Sequence, residues 1–143
     1  PHFMMPPDVS FGPVKWCTGA VIYGLLEGLA GVRDDGVAFD AATVAPRWAS
    51  AGVESVTATV KYEASDGYVR YRYEQSDSAI DLHLTGSGQS ARLRVLLPQG
   101  KSARGVIVDG AEAPFETETI EQSAYACLSL DPAQPHQIRI ALE

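Results

Sequence analysis

Acidic side chains that could share a reaction are few and scattered in this sequence. Hydrolysis by paired carboxylates needs two acidic groups that flank the reacting bond. Asp34-Asp35 precedes Gly36, a position where aspartate stabilises a turn. Glu116 and Glu118 alternate with threonine, which is the pattern of a solvated strand edge. We therefore expect no catalytic residue in these 143 residues and no turnover from the chain alone.

The histidine and cysteine residues lack the spacing of a metal centre. His2, His83 and His136 are isolated from one another in the sequence, and there is no Cys-x-x-Cys pair. Zinc sites need clustered ligands, so we expect neither a metal nor another cofactor. Cys17 and Cys127 are interpreted as two buried free thiols rather than as a disulfide. They leave secretion open; a soluble protein is expected, with the cytoplasm slightly favoured.

Overall charge argues against two classes of partner. The formal net charge is -7 and the isoelectric point is about 4.9. Nucleic-acid binding needs a basic surface that neutralises phosphates, and docking on an anionic membrane needs basic residues as well. We therefore expect no nucleic-acid partner and no membrane partner.

One predicted helix, from Thr18 to Gly31, has an apolar circumference. A helix that is apolar on every face has to be buried on every face, and its interior glycines favour close approach of other backbones. One sheet cannot cover such a helix, so we predict that it belongs to a helical domain preceding this chain. Wrapping by the rest of the chain, or a homodimer through the helix, is the alternative. The segment is too short for a membrane span and carries Glu27, and the residues before it contain no basic signal-peptide start.

From Val53 onward the hydrophobic period becomes two. Alternation continues through eight or nine short segments separated by glycine-containing turns, which is typical of an antiparallel β-sandwich. Tyr71 and Tyr73 are predicted to be core residues, Val37–Asp40 a short strand, and Gly86-Ser87-Gly88 a hairpin turn. The predicted fold is mainly β, preceded by one buried N-terminal helix. Residues 1–32 are assigned to the lead-in and helix, and residues 33–143 to the sandwich.

The helix and its surroundings resemble the last helical hairpin of six-hairpin glycosidase barrels. Trp16-Cys17-Thr18-Gly19-Ala20 and Glu27-Gly28-Leu29-Ala30-Gly31-Val32, followed by Pro46-Arg47-Trp48, are similar to segments of the cellobiose and chitobiose phosphorylases. The α-rhamnosidases have a similar helix before a C-terminal β-sandwich. Their lead-in of Ser-Phe-Asn-His-Tyr type corresponds here to Ser10-Phe11-Gly12-Pro13-Val14, without the Asn and the His. The resemblance covers residues 10 to 48 and implies an (α/α)6-type barrel upstream.

The resemblance also implies a ligand site at the start of the helix. In the phosphorylases a Thr-Gly pair helps to hold phosphate, and Thr18 and Gly19 match that pair. Helix N-termini attract anions through their free N–H groups, although Thr18 could simply cap its helix. Trp16 could stack on a sugar ring or pack as an ordinary core residue, and Lys15 could reach a substrate oxygen or remain solvated. The catalytic carboxylates of these families lie upstream, in the helical domain.

The sequence leaves two candidate functions open. The first is the C-terminal piece of a carbohydrate-active enzyme, a glycoside hydrolase or phosphorylase, whose sandwich supports an upstream helical barrel that binds the carbohydrate substrate. The alternative is a stand-alone β-sandwich module that binds glycans or proteins. A bare apolar surface around Val21–Leu29 would favour the first, and a row of exposed aromatic side chains on one sheet face would favour the second.

Overall fold

The computed structural model describes residues 15–143, with side chains from Thr18 onward. The helical part is α1 (Lys15–Tyr23), continued by a π-helical turn (Gly24–Leu29), and a 3-10 turn (Trp48–Ala51) lies between the second and third strands. The strands are β1 (Val32–Asp34), β2 (Ala41–Val44), β3 (Ser55–Lys61), β4 (Tyr68–Gln75), β5 (Ala79–Gly86), β6 (Ser90–Leu96), β7 (Ala103–Val108), β8 (Ala111–Ala113), β9 (Glu116–Ile120), β10 (Ser123–Leu130) and β11 (His136–Leu142).

Two sheets pack their apolar faces on one core. The five-stranded sheet has the order β1-β2-β6-β10-β9, and the six-stranded sheet has the order β3-β4-β5-β11-β7-β8. All neighbouring strands run antiparallel except β2 and β6, which are parallel. The core joins residues of both sheets, among them Tyr71, Leu82, Leu93 and Ile140. The predicted β-sandwich is confirmed.

Side-chain alternation explains which side of each strand packs in the core. Along β4 the side chains of Val69, Tyr71 and Tyr73 are buried, whereas Arg70 and Arg72 between them are exposed. Successive side chains of a strand point to opposite sides of a sheet, so this sequence has one apolar face for the core and one polar face for solvent. The two tyrosines predicted as core residues are both fully buried. Burial raises the pKa of Tyr73 to about 12.

The predicted strand at Val37–Asp40 is wrong. Ala38 and Phe39 have φ values of 54° and 63°, so the chain turns there. The backbone N–H groups of Gly36 and Phe39 both donate to the Asp34 carboxylate, which holds the turn closed. The Phe39 side chain is buried and stacks on Tyr62 with ring centroids 4.9 Å apart.

From Val53 onward the chain forms nine strands, β3–β11, within the predicted number of eight or nine; β1 and β2, which are only three and four residues long and show little alternation, precede them. One further expectation needs correction. The segment Gly86-Ser87-Gly88 is not a hairpin turn, since β5 and β6 belong to different sheets and the chain crosses between them there. A side chain at Gly88 would collide with the Phe39 carbonyl oxygen, 1.9 Å from its Cβ position, so glycine allows that crossing.

The helix is largely exposed within this chain, whereas the sequence predicts burial on every face by a preceding helical domain, by the rest of the chain or by a second copy. Val21, Ile22, Tyr23 and Leu25 are exposed, while Leu26 and Leu29 are half-buried against the sandwich core. The helix already includes Lys15, so Thr18 lies inside it and is not its N-cap. The amide of Ala30 donates to the Leu25 carbonyl five residues back, which widens the last turn. No helix among residues 15–143 is long and apolar enough to cross a membrane.

Candidate functional site

Four large apolar side chains of the helix are exposed to solvent. Val21 is 71% exposed and Leu25 51% exposed, and Ile22 and Tyr23 lie beside them. We call these four residues the helix face. A Cβ added at Gly24 or Gly28 would meet no atom within 4 Å, so the space over both glycines is open in this chain. Large exposed side chains next to open glycines are typical of a surface that another element covers closely.

The end of the helix, in contrast, is bound firmly to the sandwich by Arg47. Its guanidinium Nη1 donates to the carbonyl oxygens of Glu27 at 3.0 Å and Gly28 at 2.8 Å. Its backbone N–H donates to the carbonyl of Leu29 at 3.0 Å. Carbonyl groups in the last turn of a helix have no partner within the helix, and a cation there also suits the helix dipole. Arg47 therefore sets the position of the helix end.

A buried pair of aromatic side chains holds the next carbonyl. The Tyr71 hydroxyl donates to the Ala30 carbonyl at 2.7 Å, and Trp48 Nε1 donates to the same hydroxyl oxygen at 2.7 Å. Tyr71 is fully buried, and burial raises the pKa of its hydroxyl well above the ordinary range. The hydroxyl is therefore a permanent neutral donor at this junction.

Gly31 completes the junction between helix and sheet. It has a φ of 70°, and its carbonyl accepts a hydrogen bond from the Ala45 N–H at 2.8 Å. An added Cβ would lie 1.8 Å from the Ala45 carbonyl oxygen. Glycine in the left-handed region is the usual way to end a helix, as the sequence predicted for this residue. Here it also lets β1 begin at once and pair with β2.

The residues predicted from the resemblance lie only in part in this junction. Thr18 and Gly19 are exposed on the helix, and the side chains of Lys15 and Trp16 fall outside the described ones. Their role in ligand binding stays a prediction. The sequence does not indicate that Pro46-Arg47-Trp48 bonds to the helix. In the structure two side chains of this segment fix the helix end: Arg47 binds helix carbonyls directly, and Trp48 binds the Tyr71 hydroxyl.

A groove of about 360 Å³ runs between the helix and the outer face of the five-stranded sheet. Its lining includes Arg33, Arg47, Arg92 and Arg94, with Glu118 on β9. Arg94 lies over the ring of Tyr125, with Cζ 4.5 Å from the ring centroid. We call this the arginine groove. The sequence alone does not indicate this groove, because it forms only when β1, β2, β6 and β9 are placed in one sheet.

Two acidic groups beside the groove are already engaged. Burial favours a raised pKa for Asp35, but bonds from Thr43 and Arg33 outweigh it and the pKa is lowered. The Glu118 carboxylate lies 2.9 Å from Arg94 Nε. Burial and the nearby Glu118 raise the pKa of the Cys127 thiol, so this buried free cysteine is a poor nucleophile.

A second polar cluster, on the six-stranded sheet, centres on His136. Its Nδ1 lies 2.6 Å from the Asp109 carboxylate, and its Nε2 lies 2.8 Å from the Asp131 carbonyl oxygen. Both neighbours are acceptors, so only the doubly protonated ring satisfies both. Burial lowers the pKa of His136, but these two acceptors outweigh it and the pKa is raised. The Gln137 N–H and then His136 lower the pKa of Asp109.

We expect His136→Gln to destabilise the protein at pH 6 and much less at pH 9. A histidine whose pKa is raised by folding adds stability below its unfolded pKa, about 6.5, and loses it as the pH rises through the folded value. Urea denaturation of both proteins across this range measures the difference in unfolding free energy. The same substitution in an Asp109→Asn background should show little pH dependence. A difference that grows with rising pH would contradict this assignment.

Two common kinds of ligand site, a metal centre and an aromatic platform, are absent from the described residues. Among residues 15–143 no group of three or more His, Cys, Asp or Glu could hold a metal ion. The exposed aromatic side chains from Thr18 onward are Tyr23 on the helix and Tyr62, which stacks on Phe39. No row of exposed aromatic rings is present on either sheet face in this part of the chain.

Comparison with known proteins relates the chain to one kind of fold. No protein-family model matches the sequence, and no curated protein matches it. Among solved structures the chain is similar to an α-L-rhamnosidase from Dictyoglumus thermophilum, with a TM-score of 0.54 and 11% sequence identity. The match covers 79% of this chain and 12% of the rhamnosidase chain. At this identity the similarity concerns the fold, and it agrees with the glycosidase-related sandwich that the sequence resembled.

Proposed function

We propose that this chain is a supporting β-sandwich of a carbohydrate-active enzyme, and that its helix docks against an upstream helical domain. The observation that carries the proposal is the contrast within one helix. Its C-terminal carbonyls are fixed by Arg47 and Tyr71, whereas Val21, Ile22 and Leu25 face solvent. A helix held so firmly at one end and left bare along its side presents its apolar surface to a partner.

The free energy available at the helix face is large. Complete burial of a valine, isoleucine or leucine side chain contributes about 1.5–3 kcal/mol, and the face has three such residues together with Tyr23. Gly24 and Gly28 would let the backbone of a neighbouring helix approach closely. These features fit a helix–helix contact better than a contact with a flat sheet.

The structural similarity to a rhamnosidase supports the class of enzyme. Under this proposal the catalytic carboxylates and most of the carbohydrate site belong to the helical domain. Lys15, Trp16, Thr18 and Gly19, at the start of α1, would contribute to the edge of that site. The specific sugar, and the choice between hydrolysis and phosphorolysis, would be set by the helical domain.

The alternative of a stand-alone glycan-binding module has less support. Such modules commonly offer aromatic rings as platforms for sugars, whereas Tyr71 and Tyr73 are both buried in the core, as predicted from the sequence. The bare helix face has no role in a module of that kind.

The reading frame upstream of Pro1 tests the proposal. We expect it to encode a helical domain, and we expect the longer protein to turn over an aryl glycoside, in the presence or absence of inorganic phosphate. Residues 1–143 alone should show no turnover. An upstream region without helical character, or turnover by residues 1–143 alone that is lost on Asp35→Asn, would contradict the proposal.

We expect the isolated chain to self-associate through the helix face. Replacing Val21 and Leu25 by lysine should reduce this association, because two charges cannot be buried in an apolar contact. Leu29 is left unchanged, since it packs on the sandwich core. Sedimentation velocity over a range of concentrations measures the effect.

A matched control replaces Val37 and Ile107, which are also exposed but lie away from the helix, by lysine. This variant should sediment like the wild type. Equal sedimentation of the wild type and both variants at every concentration would show that the helix face has no tendency to associate.

A further inference from the structure

The arginine groove has properties of a ligand site that the docking of the helix does not require. Four arginines line it together with Glu27 and Glu118, so it is locally basic in a chain whose formal net charge is -7. Its volume of about 360 Å³ lies within the range of small-molecule sites. Whether it can hold an anion depends on which of the arginines have free hydrogen-bonding capacity.

Arg92 and Arg94 have that capacity. They lie two residues apart on β6, so their side chains leave the same face of the sheet about 6.7 Å apart. Arg92 is exposed and has no ion pair among the described residues. The Arg94 side chain is 21% exposed, and its Nε and Nη2 are buried without a hydrogen bond in this part of the chain, although Nε lies 2.9 Å from the Glu118 carboxylate. Buried donors without a hydrogen bond are unfavourable, so an oxyanion that reaches this guanidinium would stabilise it.

The other arginines of the groove are engaged. Arg33 pairs with Asp35, and Arg47 binds the carbonyls at the helix end. Tyr125 beneath Arg94, and Glu118 beside its Nε, hold that guanidinium in place. The free positive charge is thus concentrated at Arg92 and at the exposed part of Arg94, and the contacts that hold Arg94 lower the entropy lost on binding.

We propose that the arginine groove binds a small polyhydroxylated anion, with its carboxylate or phosphoryl group between Arg92 and Arg94. Arginine binds both kinds of oxyanion through paired N–H groups. Glu27, on the helix wall of the groove, offers an acceptor for ligand hydroxyl groups. Sugar acids and sugar phosphates share this chemistry. The site goes beyond the proposed function and does not depend on it, since all the groups named belong to residues 18–143.

Titration of the chain with four probes tests the site. The probes are glucuronate, glucose 6-phosphate, glucose and inorganic phosphate, followed by amide chemical shifts at low ionic strength. We expect the two sugar anions to bind with a Kd on the order of 1 mM, and to shift the amides of β2 and β6. Glucose and inorganic phosphate should bind at least about tenfold more weakly, because glucose lacks the anionic group and inorganic phosphate lacks the sugar hydroxyl groups. The sugar anion that binds more tightly shows whether the site prefers a carboxylate or a phosphoryl group.

Matched variants locate the binding. Arg92→Gln should weaken binding of the sugar anion roughly tenfold or more, as expected for loss of one charge-assisted contact. Arg70→Gln removes the same charge from an exposed position on the other sheet and should have no effect. Thermal unfolding checks that both variants remain folded, and both residues are exposed.

Several results would overturn the proposal. Equal binding of inorganic phosphate and the sugar anions would mean an adventitious ion only. Equal weakening by both variants would mean general attraction to positive charge. Loss of the site in the longer protein, with binding intact in residues 1–143, would mean that the groove is filled by an acidic side chain of the upstream domain. That last result would leave the proposed function in place.

Discussion

Gly31→Ala is expected to lower the unfolding free energy by about 3 kcal/mol or more, among the largest effects of any single alanine substitution here. Its φ of 70° disfavours every residue with a Cβ, by about 1–2 kcal/mol. The added Cβ would also lie 1.8 Å from the Ala45 carbonyl oxygen, so the backbone of β2 or the helix end has to move. Urea denaturation of the isolated chain measures the loss.

Gly28→Ala is the matched control for this prediction. Gly28 has no atom within 4 Å of the added Cβ position, and alanine is the better helix former by about 1 kcal/mol. The isolated chain should therefore keep its stability or gain slightly. Similar losses for Gly31→Ala and Gly28→Ala would show that the helix end is not fitted to β2 as described.

Tyr71→Phe is expected to cost about 2–4 kcal/mol, although it removes a single oxygen atom. The hydroxyl accepts from Trp48 Nε1 and donates to the Ala30 carbonyl, and both partners are buried. Without it two polar groups in the interior lose this partner, and each such loss costs about 1–3 kcal/mol. The helix end should loosen at the same time, because one of its carbonyl contacts is gone.

Tyr73→Phe offers a control on the same strand and the same face. The Tyr73 hydroxyl donates to Gln75 at 2.6 Å, but Gln75 is partly exposed and can bind water instead. We expect a loss of about 1 kcal/mol or less. If Tyr73→Phe lowered the unfolding free energy as much as Tyr71→Phe, the hydrogen bonds of Tyr71 at the helix junction would contribute no more to stability than those of an ordinary tyrosine hydroxyl.

The sandwich could be predicted because its signals are local. Alternation along β4 and β5 places Tyr71, Tyr73 and Leu82 in the core, whichever strands lie beside them. The strands β1 and β2 are too short to alternate, and they exist because Gly31 and Arg47 bring them together at the helix end. Phe39 has the apolar character of a strand residue, whereas its burial is reached through a turn with positive φ.

The helix junction and the arginine groove could not be predicted, because their contacts join residues that are distant in sequence. The apolar circumference of the helix predicts that other elements cover it, but it could not show that this chain leaves the helix face exposed. Arg92 and Arg94 look like ordinary solvent-facing residues of β6 until the parallel pairing with β2 places the helix end beside them. Likewise, nothing near Tyr71 in sequence indicates that its hydroxyl reaches Ala30, 41 residues away.

Hydrogen exchange of the amides of residues 18–25 is the most direct test of the docked helix. It should be measured in the isolated chain, at a concentration where the chain is monomeric, and in the longer protein that includes the upstream region. We expect exchange within the isolated chain to be fast, because the helix face has few contacts there, and at least about 100-fold slower in the longer protein. Protection of these amides in the isolated monomer equal to that of β4 and β5 would contradict the account, since the sandwich would then stabilise the helix without a partner.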